Sequence, residues 1–300
     1  MLCVSSSSKR CCWLSVLFNC LICIGVQKTQ HHAKPKEYAL LSLLLSFHAN
    51  TSIADHKACW IVPFERNQQF VGRDSQLKRL ESALFTERQP AKFAISGLGG
   101  IGKTQIVLEL AYRAIEAHQN CSVFWIPATS AEGLQQAFID IGQQLGLLGL
   151  DDEYGDVKKL VQQQLSQQSA GQWLLILDNV DEIDMWNNEL RDYLPKSRRG
   201  CVICTTRSRK VAIKIAAAPN VIEVPEMDEG MAMQLLAKSL IHQELLVSHQ
   251  DALKLLQQLT FLPLAIVQAA AYINENGILL SEYLSPVSYT HLTLPTICSV

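Results

Sequence analysis

Gly97-Leu98-Gly99-Gly100-Ile101-Gly102-Lys103-Thr104 sets two glycines five positions apart and follows the second with a lysine and a hydroxyl residue. Before it, Lys92 to Ser96 is a short, mostly apolar run. After it, Val107, Leu110, Ala111, Ala114 and Ile115 recur at helical spacing, so the glycines join a strand to a helix. Glycines let the backbone turn tightly enough for successive N–H groups to face one anion, and the helix start adds its positive dipole end. This is the pattern of a phosphate-binding P-loop, in which Lys103 reaches the β and γ phosphates and the Thr104 hydroxyl is a magnesium ligand.

From about Cys59 to Leu284, strand-like and helix-like segments alternate, which predicts a parallel sheet with helices on both faces. Ser122 to Ile126 reads as a strand, followed by a helix with Leu134, Phe138, Ile141 and Leu145 on one face. Gly146 to Gly155 is a loop, and a Gln-rich helix from Val157 to Gln167 leads into Trp173-Leu174-Leu175-Ile176-Leu177, a run suited to a strand buried on both faces. Cys201 to Thr205 and Val221 to Val224 bring the sheet to about five strands, and after Pro225 the strands stop. Met231, Leu235, Leu236 and Leu240 mark one helix, and Leu253, Leu256 and Leu259 another. Pro263 then interrupts, and Leu264 to Asn274 resumes a helical pattern ending before Gly277. The expected architecture is α/β, a doubly wound parallel sheet followed by a small helical domain. Its expected limits are a leader over 1–58, a nucleotide-binding domain over 59–226, a helical subdomain over 227–284 and a tail over 285–300.

The carboxy-terminal ends of parallel strands converge on one edge, so Asp178, closing the Trp173 run, is expected beside the P-loop, where it would join Thr104 as an oxygen ligand of magnesium. Taken alone, an aspartate there is a turn residue. Asp181 and Glu182 either polarise an attacking water or form the acidic first turn of the next helix. Arg207, after the Cys201 strand, lies on the same edge within reach of a γ-phosphate; its other reading is a solvated surface arginine.

The chain has 300 residues, 48% of them hydrophobic, enough to bury a sizeable core. A formal charge of -2 gives no basic field to hold a phosphate backbone, so no nucleic-acid partner is expected despite the local basic stretch Lys196, Arg198, Arg199, Arg207, Arg209 and Lys210. Cysteine is concentrated before the P-loop and does not recur as a disulfide framework. Cys201 and Cys204 form a C-x-x-C inside a buried strand and read as structural thiols. Lys9 and Arg10 precede an apolar run from Cys11 to Val26 that contains Asn19 and is short of the about 20 residues a membrane span needs. No membrane anchor is expected, and the location expected is the cytoplasm. The tail from Pro286 to Thr296 has no period and resembles translated adaptor sequence, so the protein is expected to be cut short near Ser285.

Four segments in order carry a family resemblance: Gly97 to Thr104, Leu174 to Asp181, Cys204-Thr205-Thr206-Arg207 and Phe261-Leu262-Pro263-Leu264-Ala265. Over roughly residues 60 to 284 the chain resembles the NB-ARC family, STAND-type P-loop NTPases of plant resistance proteins, apoptosome scaffolds and fungal NOD-like receptors. Upstream, Val62 to Asn67 and Phe70 to Asp74 are similar to the lead-in of fungal members. The resemblance implies Val71, Gly72 and Arg73 near adenine and ribose. It implies Gly97, Gly99, Gly100, Ile101, Gly102, Lys103, Thr104 and Gln105 around the phosphates, and Pro263 closing over bound ADP. Lys103, Asp178, Asp181 and Arg207, the last as first sensor, form the implied catalytic set, with Mg2+ on Thr104 and Asp178. The implied function is an ADP/ATP signalling switch of innate immunity, in which slow hydrolysis resets an ADP-held state. ATP would promote self-association, with an effector or sensor protein as partner. The alternatives are a turnover ATPase of AAA or helicase type and an inactive nucleotide-binding fragment. Asn179 stands where the family often has an acidic residue, and Phe261 where it has glycine. No winged-helix Met-His-Asp motif, repeat array or effector domain is recognisable in the sequence.

Overall fold

A computed structural model describes residues 58–84, 91–147, 156–242 and 248–285. The expected leader, apart from its last residue, the expected tail after Ser285 and most of the Gly146 to Gly155 loop lie outside the described residues. Six strands, β1 (Trp60–Ile61), β2 (Ala91–Ser96), β3 (Cys121–Pro127), β4 (Gln172–Asp178), β5 (Gly200–Thr206) and β6 (Val221–Glu223), form one sheet in the order β1-β3-β4-β5-β2-β6. Every pairing is parallel. The sequence accounts for β2 to β6; β1 is the addition, only two residues long, pairing Trp60 with Val123 and Ile61 with Phe124. Two residues carry no readable period, which is why this edge strand is invisible locally.

Parallel strands require crossovers, and helices supply them on both faces. α1 (Asp74–Glu81) and α2 (Lys103–Ala117) pack Leu77, Leu80, Ile106 and Leu110 against one face of the sheet with Phe93, Ile95 and Ile203. α3 (Ala131–Gln144), α4 (Val157–Ser166) and α5 (Arg209–Ile215) cover the other with Leu134, Phe138, Val161 and Val211, against Phe124, Trp173 and Leu175. Alternate residues of β4 therefore serve opposite faces: Leu174 and Ile176 one, Trp173, Leu175 and Leu177 the other. Local chemistry sets the helix starts. Ser130 accepts the Gly133 N–H at 3.1 Å and Ser208 the Val211 N–H at 3.4 Å.

Beyond β6 the chain is helical: α6 (Glu229–Ser239), α7 (His249–Gln258), α8 (Pro263–Asn276) and α9 (Leu280–Tyr283). Asp228 caps α6 by accepting the Met231 N–H at 2.7 Å, and Gly277 at φ 60 ends α8. Leu235, Leu236, Leu255, Leu256, Ile266 and Ile273 form their shared core. Two readings change. Pro263 opens α8 at its first turn, where its missing N–H costs nothing. The buried face of α7 is Ala252, Leu255 and Leu256, leaving Leu253 and Leu259 half-buried, because the face turns toward α6. Thr260 and Phe261 between α7 and α8 both have left-handed backbones, φ 50 and 52.

Cys121, Cys201 and Cys204 are free and buried, and burial pushes all three thiols up, so the C-x-x-C is inert core. Among the described residues no helix is long and apolar enough to cross a membrane.

Candidate functional site

β2 lies between β5 and β6, so the loop leaving it at Gly97 opens at the carboxy-terminal edge of the sheet, beside the ends of β5 and β4. Gly100 and Gly102 have φ 76 and 94, and Gly102 is the N-cap of α2, accepting the Ile106 N–H at 3.0 Å. Lys103 is 6% exposed and folds back so that its Nζ donates to the carbonyls of Gly97 and Leu98 at 3.0 and 2.9 Å. Burial lowers its pKa, opposed by Asp181 and Asp178 and reinforced by Arg207. An ammonium whose hydrogen-bond partners among the described residues are two loop carbonyls is a ready partner for an arriving anion.

Thr104, one residue on, donates its hydroxyl to Asp178 Oδ1 at 3.0 Å. The Thr205 hydroxyl, from the intervening strand β5, donates to the same oxygen at 2.5 Å and accepts the Asn179 N–H at 2.9 Å. Burial pushes the Asp178 carboxyl up, and the two threonine bonds and Lys103 only partly oppose this. A hydroxyl and a carboxylate in contact, on the edge that carries the P-loop, suit a hard divalent cation.

Asp181 takes a different place. Its Oδ1 accepts the Arg207 backbone N–H at 2.6 Å and the Thr206 hydroxyl at 3.3 Å, and its Oδ2 pairs with Arg207 Nε at 2.5 Å. Burial pushes this carboxyl up, but the Arg207 and Thr206 bonds outweigh it and leave the pKa below the ordinary value. The π-type turn that follows, Met185–Leu190, begins beyond it, and Asp181 does not cap that turn.

A cavity of about 710 Å³ runs from the P-loop to α6 and α8. Of the residues singled out in the sequence, Val71, Arg73, Gly99, Gly100, Ile101, Gly102, Lys103, Thr104, Gln105, Arg207 and Pro263 line it. Gly72 and Gly97 stand behind the wall: a Cβ on Gly72 would lie 2.2 Å from Met231 Sδ, and one on Gly97 3.0 Å from the Val224 carbonyl. Arg73 is 4% exposed and has φ 63; its Nη1 donates to the Pro225 carbonyl at 2.8 Å and its Nη2 to that of Ile101 at 3.3 Å. Burial lowers its pKa against the pull of Asp228. Its guanidinium thus ties the P-loop to the segment entering the helical part. The Pro263 turn closes the far wall, where the Leu264 N–H donates to the Gly100 carbonyl at 3.2 Å.

Sequence reading missed the rest of the wall, Asn67, Gln69, Phe70, Thr129, Asn179, Met227, Leu235, Leu264 and Val267. Asn67 donates to Gln105 Oε1 at 2.8 Å, a contact that its place in the lead-in stretch could have suggested. The volume, the apolar wall and the lysine and glycine-rich loop that line the cavity fit a nucleoside di- or triphosphate.

A glycine loop with lysine and threonine between a central parallel strand and its helix, and an aspartate closing a nearby strand, define an α/β P-loop NTPase. The NB-ARC domain profile matches residues 73–246, and the chain belongs to the NB-ARC family. A nucleotide-binding leucine-rich repeat (NLR)-like protein of Hyaloscypha variabilis is 39% identical over 292 residues, covering 89% of this chain and 29% of the relative. Disease resistance RPP13-like protein 4 of Arabidopsis thaliana is 28% identical over 171 residues, 56% of this chain and 20% of the relative. The chain therefore spans less than a third of either relative. Among solved structures, the Walker-type ATPase PABY2304 of Pyrococcus abyssi shares the fold, with a TM-score of 0.51, 13% identity and coverage of 73% of this chain and 71% of its own.

Proposed function

We propose that this chain is the nucleotide-holding core of a signalling switch, with ADP keeping the helical part closed on the P-loop and exchange for ATP releasing it. The observation that carries this reading is the hydrogen bond from the Leu264 N–H to the Gly100 carbonyl. The loop that would hold the phosphates thereby also offers a carbonyl to α8, so a change at the phosphates would reach the helical part through the loop backbone. Arg73, bonded to both Ile101 and Pro225, is a second tie between the same two regions. Val71 beside the apolar wall serves the base, Lys103 the β and γ phosphates, and Pro263 the closure over ADP.

Thr104 and Asp178 would hold Mg2+, which neutralises phosphate charge when bound. Thr205 keeps Asp178 oriented toward Thr104. Slow hydrolysis would return the closed state. The likeness to an NLR-like and a disease resistance protein supports a role in innate immunity, in the cytoplasm, with self-association in the ATP state and an effector or sensor protein as partner.

The test is mass analysis of nucleotide co-purifying with the full chain, together with calorimetry of Lys103→Ala. Tightly held ADP, and an affinity reduced by about 10²-fold or more through loss of a desolvated charge-assisted contact, are expected. Unchanged affinity in Lys103→Ala, or phosphate release at the multiple-turnover rate of a motor, would overturn the switch.

A further inference from the structure

Arg207 stands between two cavities. It lines the 710 Å³ cavity and also a smaller one of about 140 Å³ that holds Asp181, Glu182 and Met185; Thr129 and Asn179 are shared by both. Its aliphatic stem lies over the P-loop, with Cδ 3.7 Å from where a Cβ on Gly99 would stand. The guanidinium does not extend freely toward the phosphates. Its Nε is paired with Asp181 Oδ2 at 2.5 Å, while its backbone N–H donates to Asp181 Oδ1 at 2.6 Å.

The two bonds differ in what can break them. The backbone bond is fixed by the end of β5. The side-chain bond joins an arginine side chain that is 66% exposed to a carboxylate that is 20% exposed, so it is weak enough to exchange. A terminal phosphate near Gly99 offers the same guanidinium more negative charge and more acceptor oxygens than one carboxylate does.

We propose that Asp181 is a positioning residue that competes with the terminal phosphate of a nucleoside triphosphate for Arg207, and so biases the site toward a diphosphate. This rests on the nucleotide-switch reading and adds to it the element that tells the two nucleotides apart. With a diphosphate, Arg207 stays on Asp181. With a triphosphate, it leaves Asp181 for the terminal phosphate, and the triphosphate's affinity is reduced by the bond that must be given up.

Calorimetry of the full chain with ADP and with the non-hydrolysable imido analogue of ATP tests this. Asp181→Asn should raise the analogue's affinity relative to ADP by about fivefold, the worth of one partly exposed ion pair. In an Arg207→Ala background the same substitution should shift that ratio by less than about twofold, since the two sites act only through each other. Asp181→Glu, which keeps the charge, should hold the ratio near wild type. Asp181→Ser is read like Asp181→Asn if the latter fails to fold. An unchanged ratio in Asp181→Asn, an equal gain in the Arg207→Ala background, or an equal gain in Asp181→Glu would overturn the competition while leaving the switch intact. A wild-type chain that binds neither nucleotide would overturn both.

Discussion

Gly100→Ala and Gly102→Ala form a matched pair that measures how firmly α8 is seated on the P-loop. Both glycines have left-handed backbones, φ 76 and 94, so each substitution carries a backbone cost of about 1–2 kcal/mol. They differ in what the new methyl meets. At Gly102 nothing lies within 4 Å, whereas at Gly100 the methyl would stand 2.9 Å from Leu264 Cβ and 3.1 Å from Leu264 Cδ2. Cβ is carried rigidly by the helix, so α8 itself must move, straining the Leu264 to Gly100 hydrogen bond. Such overpacking adds about 1–3 kcal/mol. Thermal unfolding of the two variants without nucleotide should therefore differ, Gly100→Ala melting lower by at least about 2 °C, taking the usual 2–4 °C per kcal/mol for chains of this size. If the two melt together, α8 does not rest on the loop, and the coupling of phosphate site to helical part loses its footing.

Two further substitutions test the surrounding frame. Glu109 in α2 is 7% exposed at its side chain and accepts Arg66 and Arg113, which are 31% and 34% exposed. Burial pushes its carboxyl up, but the two arginines outweigh this and hold it below the ordinary value, so its contribution is present at neutral pH and lost as acid protonates it. Glu109→Gln should cost about 1 kcal/mol at pH 7, with the gap in denaturant midpoint closing below about pH 4; a gap independent of pH would refute the ion-pair assignment. Thr260 is exposed and β-branched at φ 50, and Thr260→Gly should stabilise by about 0.5–1 kcal/mol, strain relief exceeding the added freedom of the unfolded chain. A lower denaturant midpoint would show that the turn is not strained.

Continuous apolar runs and helical spacing made β2 to β6 and most of the long helices readable, because burial on a sheet or a helix face imposes a period on neighbouring residues. The P-loop was readable for the same reason, its chemistry being contained in eight consecutive residues. Thr104 meeting Asp178 followed from the rule that parallel strands end on one edge. The partnership of Asp181 with Arg207 did not: it depends on loop geometry after two different strands, and no local pattern separates it from a helix cap. The apolar wall was hidden too, since Met227 and Leu235 look like ordinary residues at the start of a helical core and face the cavity only because of how α6 meets the sheet. Arg73 was singled out for the base, but its N–H groups reach two backbone carbonyls, a choice set by the left-handed backbone that turns the side chain inward.

The bridge from Arg73 to Pro225 spans 152 residues. At the about 5–20 residues per second of chain synthesis, the ribosome takes about 8–30 s to deliver the second end after the first. For most of that interval the P-loop has been made, Arg73 has the Ile101 carbonyl but not that of Pro225, and neither α6 nor α8 exists to cover the loop. Nascent chains halted before Pro225 should expose the apolar wall around Phe70 and Val71, a natural point for chaperone engagement during the birth of the protein.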